Sequence, residues 1–285
     1  MKIATECVDC IINQSLKVAD AIGADSDLRT RLSSTVEAMS KNFSFELSPP
    51  EVASDVYEKM AEIANKEDLY DEVKALSTKK AQAFIPFLQE QIQNASDKLL
   101  TATKIAVVGN VIDLAAAVEF DLAEEIDKIF HTEFAHNDFE VFCLELQKAK
   151  KVVILGDNVG EHIFDAMFLE VMQEIYPTIE FYYMVRGKPI INDVTFKEAY
   201  EAGFDRLCHL VDSGVNTPGF AYGRANKEAQ ALFDTADLVI SKGMGNYECL
   251  SPSHRKNICF LLKVKCDVVA RSLGQNVGDI VCKLV

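Results

Sequence analysis

Polar side chains follow three short apolar runs of the sequence at the point where each run ends. Asp157 and Asn158 come after the run at 152–155, Asp193 follows a second run, and Lys242 follows a third. Carboxylate and amide oxygens are suitable ligands for a hard cation such as Mg²⁺ or Mn²⁺. A lysine with glycines behind it suits an anion such as phosphate. The pattern therefore indicates a metal or phosphate site.

Each of these residues also has a purely structural interpretation. The pair Asp157-Asn158 could form a turn that caps the next helix, and Asp193 stands two residues before Thr195 at a common type of helix start. Lys242 could be an exposed turn residue. Its surroundings lack the order of a Walker A loop and of a dinucleotide-binding fingerprint, so neither nucleotide motif explains it.

Further polar residues near these runs are candidates for contacts with a substrate. Asn110 and Asp113 belong to a Gly-Asn-x-x-Asp pattern, although glycine and asparagine also end helices routinely. Ser213 lies in a glycine-bearing loop whose hydroxyl and backbone donors suit phosphate or sugar oxygens, although turn formation alone would explain much of it. Glu161 and Asn246 lie within the motifs of Asp157 and Lys242, and we include them as substrate-binding candidates.

Cysteines form one pattern of interest, at Cys7-x-x-Cys10. This spacing is half of a zinc site, but no second Cys-x-x-Cys or histidine pair follows it. Buried structural cysteines are one interpretation, and a metal or redox role is the other. The chain has eight cysteines, which we expect to be reduced in a cytoplasmic protein.

The elements that carry these residues change in character along the chain. Residues 1–135 show helical spacing with few strand signals, whereas residues 136–285 alternate between strands and helices. Such alternation predicts an α/β fold with a mostly parallel, Rossmann-like sheet and helices on both faces. In open α/β sheets the crevice beyond the carboxyl ends of the strands binds ligands. We expect the N-terminal helical region to pack on the sheet and complete this crevice.

Composition limits the possible partners. The net charge of -15 and the pI of about 4.8 argue against a nucleic-acid partner. No segment has the apolar length needed to span a bilayer, and the start of the chain lacks a signal-peptide core. We therefore expect a cytoplasmic protein without a membrane partner. The sequence leaves the oligomeric state open.

The motifs together resemble the DUF89 family of metal-dependent damage-control phosphatases, particularly its prokaryotic branch with an N-terminal Cys-x-x-Cys. The resemblance covers nearly the whole chain and rests on five motifs in the same order. These motifs are Glu6-Cys7-Val8-Asp9-Cys10, Gly109-Asn110-Val111-Ile112-Asp113, Gly156-Asp157-Asn158-Val159-Gly160-Glu161, Gly187-Lys188-Pro189-Ile190-Ile191-Asn192-Asp193-Val194-Thr195 and Ser241-Lys242-Gly243-Met244-Gly245-Asn246-Tyr247-Glu248. One departure is Leu114-Ala115, where Phe-Gly is common in the family.

The resemblance implies a phosphatase that hydrolyses phosphate monoesters of small metabolites, such as sugar phosphates or damaged phosphometabolites. It implies a divalent cation (Mg, Mn, Co or Ni) held by Asp157, Asn158 and Asp193, with Asp157 and Lys242 as catalytic residues. One alternative is an S-adenosylmethionine-dependent carboxyl methyltransferase, for which the usual glycine-rich loop is missing. Another is a non-catalytic phosphometabolite-binding protein that uses the same pocket.

Overall fold

The computed structural model describes residues 1–108, 128, 130–253 and 255–285. The N-terminal part is helical. Its helices are α1 (Thr5–Ala21), α2 (Ser26–Ser40), α3 (Pro49–Ala64), α4 (Asp71–Asn94) and α5 (Lys98–Val108). No described helix is long and apolar enough to cross a membrane.

Strands and helices alternate in the rest of the chain, as the sequence predicts. The strands are β1 (His136–Asn137), β2 (Lys151–Leu155), β3 (Glu180–Val185), β4 (His209–Asp212), β5 (Leu238–Lys242), β6 (Ile258–Lys263) and β7 (Ile280–Leu284). The helices between them are α6 (Phe139–Lys148), α7 (Glu161–Ile175), α8 (Phe196–Glu201), α9 (Phe204–Leu207), α10 (Lys227–Thr235), α11 (Gly243–Leu250) and α12 (Asp267–Leu273), with a short 3₁₀ turn at Tyr222–Arg224.

The strands form one seven-stranded sheet in the order β1-β7-β6-β5-β2-β3-β4. All neighbours are parallel except β6 and β7, which are antiparallel. The mostly parallel α/β sheet predicted from the sequence is thereby confirmed. After β2 the chain builds outward through β3 and β4, and then returns to place β5 on the other side of β2. The order therefore reverses between β2 and β5, which is where open α/β folds bind ligands.

The sheet is covered on both faces, which explains its apolar strands. Val152 and Ile154 of β2 point into one hydrophobic cluster, whereas Val153 and Leu155 point into the opposite one. Side chains alternate across a strand, so a strand covered on both faces needs an unbroken apolar run. Residues from α4 and α5 join the first cluster, in which α5 contacts β6 and α4 packs against α5 and α7.

A third hydrophobic cluster belongs almost entirely to the first three helices. Its members from outside the N-terminal region are Ile190 and Ile191, which precede the predicted ligand Asp193.

The helix α3 begins with a capping box, in which the Ser48 hydroxyl and backbone N–H both donate to the Glu51 carboxylate. The predicted domain division at residue 135 stays a prediction.

Close backbone packing beside α11 gives a first testable prediction. A Cβ atom added at Gly245 would collide with the backbone carbonyl oxygen of Pro218, and backbone cannot yield as a flexible side chain can. We expect Gly245→Ala to lower the free energy of unfolding by about 2 kcal/mol or more, as overpacking commonly does. Urea denaturation measures the change.

The matched control for that prediction is Gly223→Ala. An added Cβ at Gly223 meets no atom within 4 Å, and the residue does not have a positive φ. Its stability should stay within about 0.5 kcal/mol of the wild type. Equal stability of the two variants would show that the loop and α11 are not packed as closely as described.

Candidate functional site

Three of the predicted site residues come together where β2 and β3 end. Asp157 and Asn158 follow β2, and Asp193 lies in the loop after β3, which pairs directly with β2. Asn158 and Asp193 face each other across an isolated antiparallel bridge. Because parallel strands end at one edge of a sheet, residues about thirty-five positions apart in the sequence become neighbours.

Backbone hydrogen bonds fix the two segments to each other. The Val159 N–H donates to the Asn192 carbonyl at 2.8 Å, and the Val194 N–H donates to the Asp157 carbonyl at 2.8 Å. These bonds flank the site on both sides. The two segments that hold Asp157 and Asp193 are therefore bound to each other, which fixes the positions of the two carboxylates. Such preorganisation favours ligand binding.

An arginine that the sequence analysis did not select lies between the two carboxylates. Arg186 comes directly after β3 and is 1% exposed. Its Nε donates to Asp193 Oδ2 at 2.7 Å, and its Nη2 is 3.7 Å from Asp157 Oδ1. A charged residue at the end of an apolar run, in line with the other strand ends, was the signal that could have identified it.

Burial changes the acid–base behaviour of both carboxylates. It raises the pKa of Asp157, the charge of Asp193 raises it further, and Arg186 opposes the shift. Burial likewise raises the pKa of Asp193, again opposed by Arg186. The charged forms of both groups therefore depend on nearby positive charge, and perturbed carboxyl groups of this kind are typical of functional sites.

Lys242 lies at the end of β5 on the other side of β2, but its surroundings differ from those expected. The sequence predicted a lysine available to an anion or exposed in a turn, whereas the side chain is fully buried. Its ammonium donates to Glu161 Oε1, to Asp165 Oδ1 at 2.6 Å and to the Ala106 carbonyl at 2.8 Å. An ammonium has three donors, so these acceptors use them all.

The carboxylates around Lys242 form a buried network. Burial opposes the charged form of Lys242, but Asp165 and Glu161 outweigh it and raise the pKa of the lysine. Burial raises the pKa of Glu161, and Lys242 partly offsets that shift. Asp165, which also accepts from the Tyr183 hydroxyl at 2.8 Å, was missed by the sequence analysis. Its spacing of four residues from Glu161 on α7 was the available signal.

Two predicted substrate-binding residues have their polar atoms bound within the protein. Ser213 is fully buried and donates its hydroxyl to the Val185 carbonyl at 2.5 Å. The Asn246 amide nitrogen donates to the Lys242 carbonyl at 2.7 Å, and its oxygen accepts from the Phe220 N–H at 2.7 Å. Substrate contacts by these two residues stay predictions, and in the structure their polar side-chain atoms bind the protein backbone.

Asn110 and Asp113 lie outside the described residues. Glu248, in the Lys242 motif, is partly buried, and its burial raises its pKa to about 7, with a further contribution from the charge of Asp157. Glu248 was not assigned a role from the sequence, although it completes one of the motifs.

The Cys7-x-x-Cys10 pair lies in the first turns of α1. Cys10 is exposed, whereas Cys7 is half-buried, and burial raises the pKa of its thiol. All eight cysteines are free thiols. A raised pKa reduces the thiolate fraction, so the environment of Cys7 is unlike that of a reactive cysteine.

We expect the double variant Cys7→Ser, Cys10→Ser to fold and to keep most of its turnover, because the site at the sheet edge uses oxygen and nitrogen groups. Steady-state hydrolysis rates and metal content measure this. The matched variant Cys259→Ser puts a hydroxyl at a fully buried position of β6 and should lose stability instead. Loss of turnover in the double variant, with fold and metal content intact, would contradict the prediction.

Comparisons with known proteins cover the whole chain. A family described as the damage-control phosphatase ARMT1-like domain matches residues 3–281. A damage-control phosphatase from Pyrococcus horikoshii is 30% identical over 284 residues, which are 99% of this chain and 98% of that protein. A damage-control phosphatase from Archaeoglobus fulgidus is 32% identical over 292 residues, with 100% of both chains covered. The crystal structure of a DUF89 family protein from Pyrococcus horikoshii has a TM-score of 0.92 at 30% identity, covering 100% of this chain and 99% of that one.

Proposed function

The chain belongs to the family of damage-control phosphatases with an ARMT1-like domain, and we propose on this premise that it hydrolyses phosphate monoesters of small metabolites with the help of one divalent cation. The cation would be held by Asp157, Asn158 and Asp193. The phosphatase activity follows from the family. The metal, the site residues and the substrate class are the parts that this proposal adds.

One observation carries the proposal, namely the two buried carboxylates and one amide that meet where β2 and β3 end, beside the reversal of strand order between β2 and β5. Carboxylate and amide oxygens suit a hard cation, and a buried pair of like charges favours binding of positive charge. Among the described residues, no group of three or more His, Cys, Asp and Glu side chains has the arrangement of a metal site. The proposed set has two such residues, so the Asn158 amide oxygen, water and substrate oxygens would complete the shell.

The chain's own groups define what chemistry the site could perform. A bound divalent cation would polarise the phosphoryl group and neutralise its charge. Asp157 is the residue that we assign to the nucleophile, either as the attacking group or as the base that takes a proton from water. A phosphate oxygen can reach Lys242 by replacing one of its acceptors. Glu161 is the acceptor that we assign to this exchange, because its Oε2 has no hydrogen-bond partner within the described part of the chain.

Small phosphorylated metabolites are the substrate class that we assign, with sugar phosphates and damaged phosphometabolites as its members. The net charge of -15 would repel anionic substrates unless positive charge at the site reversed the local sign. The proposed cation, Arg186 and Lys242 would supply that positive charge. Asn110, Asp113, Glu161, Ser213 and Asn246 stay predicted substrate contacts, and the choice among Mg, Mn, Co and Ni stays open.

A substrate screen tests the proposed function. The protein, freed of metal by chelation, would be given each divalent metal in turn and assayed for phosphate release from sugar phosphates, cofactor phosphates and an aryl phosphate. We expect metal-dependent release from at least one phosphate monoester, and little release by Asp193→Asn. Binding of S-adenosylmethionine without phosphate release would favour the methyltransferase, and phosphometabolite binding without turnover would favour the binding protein.

A further inference from the structure

Arg186 is buried beneath the two carboxylates of the proposed metal site. It is 1% exposed, its Nε donates to Asp193 at 2.7 Å, and its Nη2 lies 3.7 Å from Asp157 Oδ1. Its backbone N–H also donates to the Val194 carbonyl at 3.0 Å, so the residue ties together both ends of the loop that carries Asp193. One side chain thus contacts both predicted carboxylate ligands.

The charges around Arg186 are incompletely balanced. Two buried carboxylates face one guanidinium, so these three groups alone carry one excess negative charge when both carboxylates are ionised, and more distant lysines offset part of it. The Arg186 Nη2 atom has no hydrogen-bond partner among the residues that the structure describes. A buried guanidinium with an unused donor is costly for stability alone, since desolvation is not fully repaid by hydrogen bonds. This arrangement therefore calls for an explanation beyond packing.

We propose that Arg186 is the resident counter-ion of the metal site, which holds Asp157 and Asp193 in their binding arrangement until a divalent cation takes over the excess negative charge. The inference rests on the proposed function, because it takes these residues as the ligands. Arg186 is therefore a positioning residue, because it affects metal binding through the two carboxylates.

Two consequences follow from a resident positive charge. The protein can fold without the metal, because Arg186 offsets part of the repulsion between the carboxylates. The same charge repels an incoming cation, so Arg186 weakens metal binding and keeps the metal exchangeable. Without Arg186, the metal-free site loses the positive charge that contacts both carboxylates, and a bound cation would replace it. Metal should then stabilise the variant more than it stabilises the wild type.

The test measures the melting temperature of the whole protein with and without saturating Mn²⁺. We expect metal-free Arg186→Met to melt about 10 °C below the wild type, as loss of one partner of a buried ion pair implies. Mn²⁺ should recover at least half of this deficit. Arg186→Lys keeps the charge and should show a metal response close to that of the wild type.

The matched control is Arg224→Met, which removes an arginine bound to Ser54 at 2.8 Å and outside the proposed site. Its metal response should equal that of the wild type. An equal deficit of Arg186→Met with and without Mn²⁺ would show that Arg186 has only a packing role. An Arg186→Lys variant that responds to metal like Arg186→Met would also overturn the role of its charge.

A double-mutant comparison keeps the inference testable if Arg186→Met does not fold or if the wild type does not respond to Mn²⁺. Asp193→Asn removes one of the two carboxylates, so adding Arg186→Met to it should cost clearly less stability than in the wild type. Equal costs in both backgrounds would overturn the inference. If metal does not stabilise the wild type but Arg186→Met costs less stability in the Asp193→Asn background, the proposed metal is rejected. The role of Arg186 as counter-ion to the two carboxylates is then still supported.

Discussion

Asp157→Asn is expected to lower kcat/KM by at least about 10³-fold while the protein remains folded. Removal of a single preorganised group that stabilises a transition state commonly costs about 10²–10³ in rate. Asp157 has two proposed roles, as a ligand of the cation and as the group that contacts the nucleophile, so its loss should reach or exceed that range. The substitution keeps the shape of the side chain and removes its charge.

The stability of the metal-free protein should not fall with this substitution, in contrast to its activity. Burial and the neighbouring charge of Asp193 raise the pKa of Asp157, which means that its charged form is disfavoured in the folded protein. A neutral amide of the same size removes that penalty, so the melting temperature of metal-free Asp157→Asn should equal or exceed that of the wild type.

Kinetics with saturating Mn²⁺ and thermal melting of the metal-free protein measure the two effects. The matched control is Asp205→Asn, an exposed aspartate on α9, which should change neither quantity. A variant of Asp157 with wild-type kcat/KM would remove this residue from the site. A variant that loses both activity and fold would show that Asp157 has mainly a structural role.

Lys242→Ala is expected to cause the largest loss of stability among the site variants. The substitution leaves Glu161 and Asp165 buried without the ammonium that they share. Removing one partner of a buried ion pair typically costs about 3–5 kcal/mol. A lysine that only held phosphate would give a variant that folds normally and loses turnover, but the buried network predicts loss of both.

A second substitution separates the charge effect from the lost packing. The double variant Lys242→Met, Glu161→Gln makes one of the two unpaired carboxylates neutral, so it should be more stable than Lys242→Met alone. Urea denaturation measures both. The control Lys148→Ala removes an exposed lysine paired with Glu145 and should change stability by about 0.5 kcal/mol or less. A Lys242→Ala protein as stable as this control would contradict the buried network.

The α/β part of the fold was predictable because its strands and helices have different periodicities. The apolar run at 152–155 lies in β2 (Lys151–Leu155), and the next element is the helix α7 (Glu161–Ile175), as the predicted alternation of strands and helices requires. A proline inside a helix usually kinks or ends it, yet α4 continues through Pro86. Leu88 and Ile92, which follow the proline, are buried in the first hydrophobic cluster. Their burial offsets the loss of the hydrogen bond that Pro86 cannot make.

The site was predictable to the extent that strand ends determine it. Asp157, Asn158 and Asp193 follow strands that pair, so their proximity follows from parallel topology. The partners of Lys242 were not predictable in this way, because Asp165 is on a helix and its contact depends on how α7 packs against β5. Arg186 was missed because a single charged residue at a strand end resembles an ordinary surface residue until its burial is known.

The most direct test of the metal site is a titration of chelated protein with Mn²⁺, with phosphate release from the best phosphate monoester as the signal. The wild type should be inactive without metal and should reach full turnover at one equivalent of bound Mn²⁺. Asp193→Asn should bind Mn²⁺ more weakly and remain nearly inactive. Full turnover by the chelated wild type, or unchanged Mn²⁺ affinity and turnover in Asp193→Asn, would contradict a metal centre at Asp157, Asn158 and Asp193.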